Sequence, residues 1–240
     1  MKAEGAGTPA VQSNGKRRTW ESSDVLMERH AQYAELFDAG QRVLDLQCGN
    51  GEFLELLSRR GATGLGLDAD ESRLATLAAK GLLAQLGTPH EYLASHVGEF
   101  DGIFAANVIE HLDSHQLVSL VQLAVNALKP RGRLVIVSTD PRHLASHLGA
   151  ASNDLDHVRF YGPDIVRWVA RDAGLRVIDV GHNRRPKGDA TPPPNRPRLR
   201  TRLKQRLAEW LVPASLLARM QRTEDVVFYP WSEYFVTGIR

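Results

Sequence analysis

The chain has 240 residues, 42% of them hydrophobic, and a formal charge of +2. That length suits one α/β domain with additions, and so small a charge gives no case for nucleic-acid binding by itself. A single cysteine excludes an internal disulfide and fits a reducing compartment.

Residues 1–22 are polar, rich in Gly, Ser, Lys and Arg, and lack the apolar centre of a signal peptide. They read as a disordered N-terminus. No apolar run is long enough to span a bilayer, so the expected location is cytoplasmic. Ser23-Asp24 predicts a helix cap, with the helix over residues 25–37 and a stop near Gly40. A first strand follows over 42–46 and its helix over 51–60, closed by Gly61. A second strand covers 64–67 and a helix 71–80. Residues 82–86 form a weak third strand and 91–96 a short helix. A fourth strand covers 100–105. A helix over 114–128 ends at Lys129-Pro130, and Gly132 turns the chain into a β-branched fifth strand over 133–138. A helix over 163–173, closed by Gly174, leads to a strand over 175–180. Residues 232–239 supply the last strand. Strands alternating with helices imply a doubly wound, mostly parallel sheet. Right-handed crossovers place its ligand at the carboxyl edge.

The expected organisation is therefore a core over 23–182, an insert over 183–230 and a final strand within 231–240. The insert opens with Pro192-Pro193-Pro194, a stiff exposed piece. Arg196, Arg198, Arg200, Arg202, Lys204 and Arg206 follow, while Leu199, Leu203, Leu207 and Leu211 recur every four residues. That spacing predicts a helix with one apolar stripe beside a cationic face. Three readings stay open for it: a solvated helix, a site for an anionic substrate, or a peripheral contact with an anionic membrane.

The first strand runs into Asp45-Leu46-Gln47-Cys48-Gly49-Asn50-Gly51. Glycines there let the backbone turn tightly beside a ligand, and the next helix points free N–H groups at the turn. A nicotinamide-binding fingerprint wants a third glycine three residues on, where this chain has Leu54. Asp45 can hold an ammonium group beside the turn, and Asp68, ending the second strand, can accept from a ribose diol. A cofactor with an amino-acid tail and a ribose would use both.

Four segments carry a resemblance. Val43–Leu54 is the first, and Gly64-Leu65-Gly66-Leu67-Asp68 the second. The third is Phe100–Leu112, containing Ala106-Asn107 and Glu110-His111. The fourth is Leu128-Lys129-Pro130-Arg131-Gly132-Arg133-Leu134, with Arg131 where glycine is usual. Together they resemble class I S-adenosylmethionine-dependent methyltransferases, over roughly residues 40–180. Thr139-Asp140-Pro141 and Asp154-Leu155-Asp156-His157-Val158-Arg159 are similar to a bacterial branch found with polysaccharide and lipopolysaccharide assembly. Asp156 stands where that branch usually has threonine.

The resemblance implies S-adenosylmethionine as cofactor, its amino-acid portion held by Asp45, Gly49 and Gly51. Asp68 would take the ribose hydroxyls, and Ala106 and Asn107 would line the pocket. The donor carries the reactive group, so the protein's main task is alignment. A hydroxyl acceptor also benefits from a base, and histidine suits that role. His157 is the first expectation for it, with Asp154 or Asp156 as orienter, and His111 is the second. Gly87-Thr88 occupies the place where such proteins often carry an acid or amide for adenine. No metal is expected, because Asn107 replaces the first acid of the Glu-x-x-Glu-His pattern used by some quinone methyltransferases. Cys48 reads as a small packing residue. Arg29 and Tyr33 lie on a helix that covers the cofactor in similar proteins.

The expected function is O-methylation of a sugar hydroxyl in surface-glycan or lipid-linked saccharide assembly. The alternatives are methylation of a quinone or secondary metabolite, and a non-catalytic scaffold of the same fold. The expected partner is a small-molecule or glycan acceptor, with no specific nucleic acid.

Overall fold

A computed structural model describes residues 22–142, 156–183 and 233–240. In chain order the elements are α1 (Ser23–Ala34), β1 (Arg42–Leu46), α2 (Glu52–Arg59), β2 (Thr63–Asp68), α3 (Glu71–Ala79) and β3 (Leu83–Leu86). There follow α4 (Pro89–Ser95), β4 (Phe100–Ala106), a short 3-10 turn (Ile109–His111), α5 (Ser114–Ala127) and β5 (Leu128–Thr139). The last are α6 (Pro163–Asp172), β6 (Arg176–His182) and β7 (Glu233–Ile239). Among the described residues, seven strands form one sheet in the order β3-β2-β1-β4-β5-β7-β6. All pairs are parallel except those of β7, which runs antiparallel between β5 and β6. The strand order reverses between β1 and β4, and in such sheets the ligand crevice lies at that point, at the carboxyl ends.

Each layer follows from the sequence. Val43, Phe104, Val135 and Val137 face α1 and α2 on one side of the sheet, packing with Tyr33, Phe37, Phe53, Leu54 and Leu57. Leu44, Ile103, Leu134, Ile136, Tyr234 and Val236 face α5 and α6 on the other. Strand alternation sends neighbouring residues to opposite faces, and buried parallel strands carry apolar side chains on both. At Gly102 an added Cβ would lie 2.2 Å from the Phe37 ring, so only glycine lets α1's end seat on β4.

Two expected elements change at their ends. Helix α1 begins at Ser23 and stops at Ala34, and the residue before it, Ser22, makes no side-chain cap. Two tight 3-10 turns, Leu36 N–H to Tyr33 and Phe37 N–H to Ala34, continue it. The turn expected at 130–132 lies inside β5, because Leu128 already pairs with Phe100 before Gly102 pairs with Arg133. Residues 129–132 form a bulge there, pinned by Lys129 Nζ on Asp101 at 2.9 Å. Arg131 takes the left-handed conformation of the usual glycine, with φ 68°. Its N–H donates to the carbonyl of Arg240 at 3.0 Å.

Residues 1–21, residues 143–155 with Asp154 among them, and nearly all of the predicted insert lie outside the described residues. The described residues on either side of residues 184–232 meet: Asn183 N–H donates to the carbonyl of Glu233, the first residue of β7, at 3.1 Å. No helix among the described residues is long and apolar enough to cross a membrane.

Candidate active site

The loop of residues 47–51 joins β1 to α2. Its geometry is left-handed at Gln47 (φ 63°), Gly49 (φ 57°) and Gly51 (φ 87°). Gly51 caps α2, and a Cβ there would stand 2.6 Å from both Leu77 and Leu82. Packing of α3 and β3 therefore demands that glycine as strongly as any ligand would. Gly49 donates its N–H to Asp68 at 3.0 Å, which ties the loop to the end of β2. Cys48 behaves as expected of a packing residue: it is buried, its Sγ would sit 2.5 Å from a Cβ at Gly66, and burial pushes its thiol pKa up.

Asp45 is buried beneath the loop. Its carboxyl pKa is raised well above the usual range by burial first, then by Asp68 and Glu52. Among the described residues no cation is paired with it. A buried acid with two acidic neighbours costs stability, and a cationic ligand would offset that cost. Further unmatched polar atoms belong to the helices on this side of the sheet. Glu52 Oε1 on α2 and both ring nitrogens of His30 on α1 are buried without a hydrogen-bond partner. Unpaired buried polar atoms are rare in finished interiors and are what a polar ligand between α1 and the loop would satisfy. Together the acids and the loop suit a small ligand carrying ammonium or sulfonium charge, as S-adenosylmethionine does.

Asp68 accepts from Gly49 N–H, from Asp70 N–H at 2.9 Å and from Arg73 at 3.2 Å. A carboxylate has about four acceptor positions, so roughly one remains for a ribose hydroxyl while Arg73 stays in place. Thr88 is engaged as the cap of α4, its hydroxyl donating to Glu91 at 2.7 Å. Ala106 ends β4, partly buried against the α1 side of the core. Asn107 is left-handed at φ 53°, and its N–H donates to the Val137 carbonyl at 3.0 Å. Gln47 and Asn107 thus place two strained, non-glycine conformations at the ends of adjacent strands β1 and β4. Such strain concentrates at functional sites. No residue pattern marked Gln47 beforehand.

Beyond β4 the structure brings His111 and His157 together, ring centroids 4.7 Å apart, with Phe160 edge-on to His157 at 5.3 Å. His111 Nδ1 lies 3.0 Å from the backbone carbonyl of Asp156. The loop is anchored by Glu110, whose backbone carbonyl accepts from Val158 and Arg159 at 2.9 and 3.1 Å. The buried Glu110 carboxylate accepts from Ser138 Oγ at 2.9 Å. Glu110 thus serves packing and loop anchoring, and no cluster of metal-ligating groups exists among the described residues. Asp140 follows β5. It is fully buried and holds Arg142 and His182. Burial pushes its carboxyl up, but the hydrogen bonds from Arg142 and His182 outweigh that and hold it below the usual range.

Helix α1 closes the site through Arg29, which forms a buried ion pair with Glu233 at the start of β7. His30 beside it is packed edge-on against Phe104 at 5.3 Å. Burial, then the Arg29 charge, lower its pKa from 6.5 to about 3. The unfolded chain therefore binds more protons between those values, so stability falls as pH drops from about 6.5 toward about 3. At about pH 5 the deficit amounts to roughly 2 kcal/mol. We expect His30→Leu to flatten the acid limb of stability by about that amount. Denaturant midpoints at neutral pH and near pH 5 check it, and an unchanged limb would show that His30 charges without cost.

Comparison with known proteins is consistent with this geometry. A family model described as a methyltransferase domain matches residues 18–180. The ubiquinone biosynthesis O-methyltransferase of Thiobacillus denitrificans is 30% identical over 159 residues, 59% of this chain and 67% of that protein. Its namesake from Psychrobacter arcticus is 27% identical over 199 residues, 73% of this chain and 76% of that protein. Among solved structures, a SAM-dependent methyltransferase from Archaeoglobus fulgidus superposes with TM-score 0.70 at 23% identity, covering 91% of this chain and 95% of that one. A magnesium protoporphyrin IX methyltransferase from Synechocystis, with bound SAM, gives TM-score 0.55 at 13% identity, with 90% and 78% covered.

Proposed function

Because this chain belongs to the class I S-adenosylmethionine-dependent methyltransferases, we propose that it methylates an oxygen of an aromatic, quinone-type small molecule. Its cofactor is S-adenosylmethionine. The observation that carries the site assignment is Asp45: a buried, raised carboxyl with acidic neighbours and no described cation. In this reading Asp45 takes the ammonium group, Gly49 and Gly51 shape the loop around the amino-acid portion, and Asp68 takes a ribose hydroxyl. Ala106 and Asn107 line the pocket at the end of β4. When bound, the cofactor supplies a methyl group on a positively charged sulfur, ready for direct transfer.

Two observations support the acceptor class. The curated relatives are named for ubiquinone biosynthesis. The acceptor side beyond β4 carries the aromatic rings of His111, His157 and Phe160, a surface that suits a planar ring. The sugar acceptor expected from the sequence has no counterpart in the relatives' names, and the small-molecule alternative takes its place. His157, beside His111, can receive the hydroxyl proton. Membrane or substrate contact by the insert rests on its leucine and arginine spacing alone. Co-sedimentation with anionic vesicles tests it, and no binding at low salt overturns it.

Calorimetry with the cofactor and its demethylated product tests the first step, and transfer to a panel of catechols, phenols and saccharides tests the second. Binding of neither nucleoside would sink the enzyme reading. Binding without turnover would favour a scaffold. Turnover confined to saccharides would return the acceptor to a glycan. Asp68→Ala should weaken cofactor binding about tenfold, the worth of a charge-assisted hydrogen bond; an unaltered dissociation constant would remove Asp68 from the site.

A further inference from the structure

Asp68 ends β2, and a ribose diol would bring it two O–H donors. The carboxylate is already heavily used. Oδ1 accepts from the Asp70 N–H at 2.9 Å. Oδ2 accepts from the Gly49 N–H at 3.0 Å and from Arg73 Nη1 at 3.2 Å. An ionised carboxylate offers about four acceptor positions. Three donors are in place, so a diol brings one too many, and one of the present three has to leave.

The three are not equally free to go. Two are main-chain groups. Gly49 is held in the left-handed loop at φ 57°. Asp70 caps α3, its own carboxylate accepting from the Ser72 N–H at 3.0 Å. Moving either would rebuild the turn between β1 and α2 or unwind the start of α3. The third donor is the end of a long side chain on the first turn of α3, which rotation about its own bonds can carry away. A second acid stands ready for it: Arg73 Nε lies 3.5 Å from Asp70 Oδ2, while Asp70 Oδ1 serves the cap. Letting go of Asp68 therefore keeps a countercharge beside the guanidinium.

Arg73 also stands at the glycine loop. A Cβ added at Gly49 would lie 3.5 Å from its Nη1. The Arg73 and Asp68 side chains are 15% and 8% exposed, so their ion pair is screened far less than a pair at the surface. A ligand that breaks it loses part of its own binding energy.

We propose that Arg73 sets cofactor affinity by competing with the ribose diol for Asp68. The proposal rests on the reading of this loop as the cofactor site, with Asp68 as ribose acceptor. No covalent bond changes: two O–H donors replace one N–H donor on the carboxylate. The same competition acts on the demethylated product, so the return of Arg73 to Asp68 favours its release.

The test is calorimetry on the full chain with Arg73→Leu. The probes are S-adenosylhomocysteine, which carries no sulfonium charge, and its 2′-deoxy analogue, which brings one hydroxyl fewer. Without the competing ion pair, R73L should bind S-adenosylhomocysteine about tenfold more tightly than wild type. The deoxy analogue fits beside Arg73, because three donors and one hydroxyl fill about four positions. Its affinity should stay within about twofold of wild type in the variant. A general change in the local field would move both probes alike. Arg73→Gln removes the charge at similar length and should give the same split, which keeps the test open if leucine disturbs folding. Equal or weaker binding of S-adenosylhomocysteine by both variants, or an equal gain on both probes, would overturn the proposal. So would a structure of the product complex in which both hydroxyls and Arg73 sit together on Asp68. Failure of wild type and variants alike to bind either nucleoside would overturn the cofactor reading, and the competition with it.

Discussion

Asp45→Asn is expected to weaken cofactor binding and, in the same protein, to raise stability without ligand. Asn keeps the shape and removes the charge. Without ligand, ionising Asp45 would put a charge into a buried place, with Asp68 and Glu52 acting against it and no described cation beside it. Its raised pKa means that ionisation is resisted by the fold, so stability is lost as pH rises from the ordinary carboxylate range through the folded value. Removing the charge should add about 1–2 kcal/mol near neutral pH. With the cofactor present the sign reverses, because an ammonium group gains from the carboxylate. Loss of a charge-assisted contact of about 1.5–3 kcal/mol corresponds to a dissociation constant roughly ten- to a hundredfold higher. Wild-type binding should also release protons, since a cation draws Asp45 toward its ionised form. Calorimetry in buffers of differing ionisation enthalpy reads that release, and thermal midpoints read the stability. A variant that is less stable and binds as tightly as wild type would show that the fold itself compensates Asp45.

Phe104→Ala is expected to cost about 3–5 kcal/mol of stability. The ring is fully buried. It stacks on Phe53 with centroids 3.8 Å apart, and meets His30 at 5.3 Å and Tyr33 at 5.8 Å. Those partners come from α2 and α1, so one side chain of β4 seats both helices that flank the loop. Each aromatic pair adds about 0.5–1.5 kcal/mol beyond area burial, which puts this site at the upper part of the range. For a domain of this size the thermal midpoint should drop by roughly 10 °C. Cofactor binding should weaken as well, because α1 and α2 carry the unmatched polar atoms of the site. Urea unfolding with parallel binding measurements checks both. A loss below about 1 kcal/mol would mean that α1 and α2 are held elsewhere.

The sequence revealed what depends on local pattern. Apolar runs broken by glycine gave the strand and helix order, and the spacing of Asp45, Gly49, Gly51 and Asp68 marked the crevice. The β7 strand was visible as a strand, but its place between β5 and β6 is a matter of pairing that no local period encodes. Gln47 is left-handed with no glycine to announce it. No residue pattern singles out His30, and only the packing of α1 against Phe104 buries it. Gly51 read as a ligand contact, whereas close packing against Leu77 and Leu82 explains it equally. Asp140 and His182 lie 42 positions apart and meet only because β6 and β7 are antiparallel neighbours. The sugar acceptor followed from a short motif whose closest match to chemistry was one histidine. The relatives' names moved that expectation to a quinone-type molecule.

The bond between Asn183 and Glu233 has an evolutionary reading. Asn183 and Glu233, the described residues on either side of residues 184–232, are hydrogen bonded to each other. Closing a longer or shorter segment across a fixed gap changes the free energy only with the logarithm of its length, about 0.6 kcal/mol per doubling. The entropy of closure alone therefore sets little limit on the length of that stretch. The junction is a cassette port at the carboxyl edge of the sheet, where another family member's segment can be grafted between 183 and 233.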